Sequence, residues 1–190
     1  MNQDQRDELL GKRALRTYEE NGVLSEEEAC RVVACRERFL QNARSGGRVA
    51  LLLWLKYELK FEKLMQIRGA KIKKRMPSKV ADLLIKRFPS ELRIWATAIE
   101  INSQHKKKQK KLITAALKLH PASSWLWRTA ARIIDNKNQK RILLQRGLRS
   151  CPKRRKLLLA LLALIKEEDD SSSAVAAFKK SALIHFGYEL

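Results

Sequence analysis

Residues 83–101, LLIKRFPSELRIWATAIEI, are echoed at 115–133, AALKLHPASSWLWRTAARI, and again at 146–164, RGLRSCPKRRKLLLALLAL. The anchor is a proline, Pro89, Pro121 and Pro152, with spacings of 32 and 31 residues. Six residues beyond each stand Trp95, Trp127 and Leu158; ten beyond, Ile99, Ala131 and Leu162; twelve beyond, Ile101, Ile133 and Leu164. Before the prolines the register continues, with Leu84, Ala116 and Gly147 five back and Ile85, Leu117 and Leu148 four back. A period of about 30 residues of this kind marks stacked helix-turn-helix units. Each unit reads as a helix ending just before the proline, a short turn, and a second helix carrying one large residue followed by small or aliphatic ones. Proline fits the turn because it cannot continue a helix but suits its first position. One hairpin alone cannot bury its apolar stripe, so neighbouring units must stack into a solenoid.

Working outward, the other segments are helical too. Ser25 followed by Glu28 is a capping box at a helix start, and Asn21-Gly22 just before it reads as the stop of a first helix. Residues 3–20 and 26–44 are therefore expected to form a helical hairpin. Ser45-Gly46-Gly47 breaks the chain, and Leu51, Trp54, Leu55, Tyr57, Glu58, Phe61, Leu64 and Arg68 then follow helical spacing. The expectation is an all-α chain: an N-terminal hairpin over 1–45, then a right-handed α-solenoid of about four repeats over 48–190, packed continuously with it. Composition agrees, since 190 residues that are 45% hydrophobic, with 7 Gly and 4 Pro, are too apolar for disorder and too poor in turn formers for a many-stranded sheet.

Charge is the other strong signal. The chain carries 41 Lys plus Arg against 20 Asp plus Glu, and between Arg68 and Lys166 the ratio is 27 to 4. Such an excess repels itself unless a polyanion neutralises it, and nucleic acid supplies sequence-independent affinity by releasing counterions. The candidate RNA contacts are three runs: Arg68, Lys71, Lys73, Lys74 and Arg75; Lys106, Lys107, Lys108, Lys110 and Lys111; and Lys153, Arg154, Arg155 and Lys156. The last two are expected in opposite kinds of turn, within one repeat and between repeats. Solvated helix faces and nuclear-localisation signals are the competing readings of the same runs.

Other chemistry finds no support. Cys30, Cys35 and Cys151 make an odd count without a CxxC pair and read as small core residues; His105, His120 and His185 lack ligand-spaced neighbours, so no metal is expected. There is no phosphate loop, dinucleotide fingerprint or nucleophile elbow, and hence no cofactor, small-molecule ligand or enzymatic activity is expected. Glu167-Glu168-Asp169-Asp170 with the serines after it reads as a turn and helix N-terminus. Trp54, Trp95 and Trp127 fall on the buried stripe, whereas Trp125 is off register by two and faces elsewhere. The longest apolar run, Leu157 to Ile165, is nine residues where a membrane span needs about 20, and the N-terminus lacks the apolar core of a signal peptide. A soluble intracellular protein is expected.

These residues resemble the half-a-tetratricopeptide repeat: Trp54, Tyr57 and Glu58; Trp95, Ile99 and Glu100; Ala116, Leu117 and Pro121; Gly147, Leu148 and Pro152, with Pro89 and Trp127 in the same frame. More specifically, GVLSEEEACRVVACRERF at 22–39 and LLWLKYELKFEKLMQIR at 52–68 are similar to the N-terminal region of the U3 small nucleolar RNA-associated protein 6 family. The resemblance spans residues 5–165, with departures at the short link after Arg68, at Leu158 in place of an aromatic, and in a length about half the family's. Met1 and a coherent last helix, Ala174 to Phe186, point to a complete, reduced chain. The resemblance implies a non-catalytic subunit of the UTP-B subcomplex in the small-subunit processome of the nucleolus. Its partners would be other UTP-B proteins and precursor ribosomal RNA or U3 small nucleolar RNA. A repeat subunit of splicing or 3′-end processing, and a peptide-binding adaptor with no RNA role, remain as alternatives.

Overall fold

The computed structural model describes residues 3–45, 47–72, 75–152, 154–168 and 172–187. These form eleven α-helices and no strand, grouped in two compact units, 1–101 and 102–190. Residues 1–45 thus share a unit with the three helices that follow them.

The first unit holds α1 (Gln3–Leu10), α2 (Lys12–Glu20), α3 (Glu26–Ser45), α4 (Arg48–Ile67), α5 (Met76–Arg87) and α6 (Leu92–Ile101). The first helix of the expected hairpin is in fact two, divided at Gly11, whose φ of +68° is left-handed. The cause lies 25 residues away. A Cβ on Gly11 would sit 2.7 Å from Nη1 of Arg36, so only glycine leaves room both for the turn and for the guanidinium. Asn21-Gly22 does end α2, with Gly22 at φ +68° and the Val23 N–H returning to the Tyr18 carbonyl. The capping box is formed: the Glu28 N–H donates to Ser25 Oγ at 3.2 Å, and the Ser25 N–H donates to Glu28 Oε2 at 3.1 Å.

Buried among α1, α3 and α4 is an ion pair. Arg36 donates through Nε and Nη2 to the two carboxylate oxygens of Glu58 at 2.7 Å each, and through Nη1 to the Leu10 carbonyl at 2.8 Å. Trp54, fully buried, donates its indole N–H to Glu58 Oε1, and the Arg36 guanidinium lies 5.2 Å over the Phe61 ring. Each of the three guanidinium nitrogens has an acceptor, which is what makes so dry a pair tolerable. Phe39 stacks on Trp54, and Tyr57 stacks on Phe61. Burial pushes the Tyr57 hydroxyl up to about 12, with Cys35 and Glu58 adding to the rise. The inward face of α4 carries Glu62 and Met65, and Leu64, expected inside from its spacing, is exposed.

The second unit holds α7 (Lys106–Leu119), α8 (Ser124–Ile133), α9 (Lys137–Ser150), α10 (Arg155–Glu168) and α11 (Ser172–Phe186). Helix α8 packs against α7, α9 and α10, and α10 against α9 and α11. Ser123 and Asn136 cap α8 and α9 through their side-chain oxygens. The core is aliphatic, with Leu144, Leu148, Leu157, Leu158, Leu161 and Leu164 buried and Trp127 and Phe178 packed against them. Leu158 occupies the large-residue position with no exposure.

The three proline turns share one geometry. Phe88, His120 and Cys151, each just before its proline, have φ of −130°, −128° and −138° with ψ of 58°, 58° and 65°, and each donates its N–H to the carbonyl five residues before the proline. With ψ near 60° these residues lie outside the α region, which a following proline ring disfavours. Trp95 and Trp127 then donate their indole N–H to the carbonyls of Pro89 and Pro121, both at 2.8 Å. The spacing of six therefore has a direct cause: the ring closes its own turn. Gly147 is flush against Trp127, where a Cβ would meet Cγ at 2.8 Å, and Cys151 Sγ also reaches the Pro121 carbonyl. The prolines themselves are exposed, and Trp127 is half-buried rather than enclosed as its register suggested. Trp54, Trp95, Ala116 and Leu148 are buried, while Tyr57 and Leu117 are half-buried.

Candidate nucleic-acid interface

Two residues of the first basic run, Arg68 and Arg75, are held by carboxylates of their own unit. Arg68 grips both oxygens of Glu28, at 2.8 and 2.9 Å, and the Val23 carbonyl. These bonds, with the Ser25 N–H behind them, hold the Glu28 carboxyl down at about 2. Arg75, half-buried, donates to Glu62 and to the Ile101 carbonyl at 2.6 Å each. Lys71 is exposed, and Lys73 and Lys74 lie outside the described residues. Two of the five cations are thus structural clasps whose charge is already met.

The second run was expected in a turn and lies instead in the first two turns of α7, which begins at Lys106. Lysine is a good helix former, and Gln109, Ile113 and Ala116 supply a buried face, so the helix starts where the lysines do. Lys106, Lys107, Lys110 and Lys111 are exposed and Lys108 is half-buried. Positive charge here opposes the helix dipole, and His105 supplies no side-chain cap, so the start of α7 is electrostatically adverse. Lys107, Lys111 and Lys118 continue along the helix at spacings that share one exposed face.

In the third run Arg154, Arg155 and Lys156 are exposed at the start of α10, while Lys153 lies outside the described residues. The two runs flank opposite ends of α8. Lys106 approaches Asp135 just beyond the C-terminus of α8, at 4.0 Å, whereas Cys151, beside the third run, bonds to Pro121 just before its N-terminus. The ten residues between span about 15 Å.

Charge is unevenly spread: the second unit has 20 basic and 6 acidic residues, five of the acidic ones after residue 166. The first has 21 basic and 14 acidic residues, and its described pairs include Arg6–Glu37, Lys12–Asp7, Arg31–Glu27, Arg36–Glu58, Arg48–Glu91 and Lys79–Glu8. Residues 102–166 carry 18 basic residues and one carboxylate, Asp135. Their cations cannot be neutralised from within that stretch. Several lie outside the three runs: Lys137, Arg141, Arg146 and Arg149 are all exposed on α9.

Of the remaining candidates, Cys151 is buried, Cys35 half-buried and Cys30 exposed, so the last is no core residue. Glu167 and Glu168 end α10 rather than starting a helix, and Asp169 and Asp170 lie outside the described residues. Among the described residues no helix is long and apolar enough to cross a membrane, and no group of three metal-ligating side chains occurs. A scan against protein-family models finds no match to this chain, and no curated protein matches it significantly.

Proposed function

We propose that this chain is a non-catalytic scaffold whose second unit binds RNA through the phosphate backbone. The observation that carries this reading is the ratio of 18 cations to one carboxylate over residues 102–166, with lysines gathered at a helix start where the dipole disfavours them. Natural selection against self-repulsion would disperse or pair such charge, and a bound polyanion removes the repulsion. The shared geometry of the three proline turns supports helical repeats of the half-a-tetratricopeptide type, stacked as a right-handed solenoid. The resemblance of residues 22–39 and 52–68 to the U3 small nucleolar RNA-associated protein 6 family supports the assembly: the UTP-B subcomplex of the small-subunit processome, in the nucleolus, acting on precursor ribosomal RNA.

Ultraviolet crosslinking with sequencing of the attached RNA, in cells where the chain is then depleted, tests both parts. Crosslinks to small-subunit precursor rRNA or U3 RNA, with accumulation of unprocessed small-subunit precursors and normal large-subunit maturation, are expected. Crosslinks to messenger RNA precursors with a splicing or 3′-end defect would move the chain to that machinery. Absence of crosslinked RNA would leave a peptide-binding adaptor.

A further inference from the structure

Helix α4 is apolar on nearly every side. Inward it carries Leu51, Trp54, Leu55 and Met65; outward it still presents Val49, Leu52, Leu53, Leu59, Leu64 and Ile67, each between 39% and 74% exposed. Among the described residues, six of the eleven exposed large hydrophobic side chains lie on this one helix. Apolar surface so concentrated marks an interaction site rather than the usual scatter of single residues.

The arrangement of charge on that face identifies the partner. At about 100° per residue, Val49 and Ile67 lie on one line along the helix, with Lys56, Lys60 and Lys63 within about 40° of it. Leu52 and Leu59 flank the line on one side and Leu53 and Leu64 on the other. The face is therefore apolar at its ends and edges and cationic at its centre. Both carboxylates of α4 are turned inward, Glu58 to Arg36 and Glu62 to Arg75, so none answers the three lysines from their own helix. Lys56, Lys60 and Lys63 are exposed and make no ion pair with a described residue. Beside the Leu52 flank, a recess of about 190 Å³ opens between α4, α5 and α6, floored by Leu55, Ala81, Leu84 and Ile94. It has room for an apolar anchor.

A bilayer does not fit this pattern, because seating the leucines would drag the central ammonium groups into hydrocarbon. A second copy does not fit either, since it would set lysine against lysine. We propose that the outer face of α4 docks an amphipathic helix of another protein, one whose apolar face carries Asp or Glu at its centre. Leucine contacts along the edges supply the buried area, the recess takes one anchor, and the central carboxylates meet Lys56, Lys60 and Lys63 as those contacts exclude water. The proposal stands on the first unit alone and survives if the second unit does not bind RNA.

Two labelled helical peptides, each about 20 residues to match the ~27 Å from Val49 to Ile67, test it. They share the same leucine edges, and one has Glu and the other Lys at the central positions. Anisotropy titrations against the full chain at physiological salt should show the Glu peptide binding at least about tenfold more tightly. The variant Lys56→Glu/Lys60→Glu/Lys63→Glu should reverse that order, and Lys56→Gln/Lys60→Gln/Lys63→Gln should abolish the preference without reversing it. All three side chains are exposed, so the variants should fold normally by circular dichroism. Because the whole chain is basic, neutralising the lysines of α7 must leave the tight binding in place. A Glu-peptide preference that survives both α4 variants, or falls with the α7 variant alone, would overturn the proposal. So would a preference for phosphatidylserine vesicles over the Glu peptide that the α4 variants remove. Self-association in sedimentation equilibrium that the α4 variants abolish would likewise overturn it.

Discussion

Replacing Arg36 with methionine removes the guanidinium from the driest place in the first unit and leaves its partners behind. Arg36 and Glu58 have side-chain exposures of 2% and 0%. Without Arg36, the Glu58 carboxylate keeps the Trp54 indole as donor and loses both 2.7 Å bonds, and the Leu10 carbonyl loses its donor too. Breaking a buried pair from one side costs about 3–5 kcal/mol, against a total stability of about 5–15 kcal/mol for a domain. Arg36→Met should therefore unfold the first unit at markedly lower urea, and Glu58→Leu should do the same by stranding the arginine. The double variant Arg36→Met/Glu58→Leu removes both charges and their desolvation, so it should be more stable than either single, with a coupling energy of about 2–3 kcal/mol. Urea unfolding by circular dichroism gives the total. Hydrogen exchange read on α3 and α4 peptides assigns the loss to the first unit. Single variants that each cost under about 1 kcal/mol, or costs that add in the double variant, would refute the reasoning.

Trp95→Ala should destabilise by about 3–5 kcal/mol in thermal or urea melts, since it empties a buried site and removes the indole N–H that donates to the Pro89 carbonyl. Gly147→Ala should cost about 1–3 kcal/mol because its Cβ would lie 2.8 Å from Trp127, and the cost should vanish in a Trp127→Ala background; a cost that persists there would place the strain elsewhere. Acid should release the clasp between Glu28 and Arg68. The folded carboxyl is held at about 2 against about 4.3 in an unfolded chain, so protons bind the unfolded form more readily. Its contribution is complete above about pH 4.3 and lost as pH falls towards 2, and a Glu28→Gln variant should show a flatter fall in melting temperature over that window.

The proline turns were legible because their causes are local: a proline, the residue before it, and a tryptophan that returns to the same carbonyl six residues back. The capping box of Ser25 and Glu28 was legible for the same reason. What sequence spacing could not show depends on residues far apart in the chain. Gly11 divides a helix because Arg36 needs the room, and Arg36 is fixed by Glu58, 22 positions further on. Arg68 and Arg75 read as free cations until Glu28 and Glu62 are seen to hold them, 40 and 13 positions away. The repeat frame puts the lysines of α7 between the helices of one unit, yet lysine propensity and the inward Gln109 carry the helix back to Lys106. The wide apolar surface of α4 was read as one stripe, since a spacing rule marks the residues that fit it and passes over Leu52, Leu53 and Leu59, which face outward.

The claim that the second unit grips RNA phosphates is tested most directly by the salt dependence of binding. Single-stranded RNA from the small-subunit precursor is titrated into the full chain and into the variant with Lys106, Lys107, Lys108, Lys110 and Lys111 all changed to Gln, over a range of salt. Folding should be nearly unchanged, because four of the five lysines are exposed, where a substitution costs about 0.5 kcal/mol or less, and their mutual repulsion is relieved. The account predicts weaker binding and a slope of log affinity against log salt that is shallower by up to about 0.7 for each phosphate no longer neutralised. An affinity and a slope that both stay at their original values would contradict it.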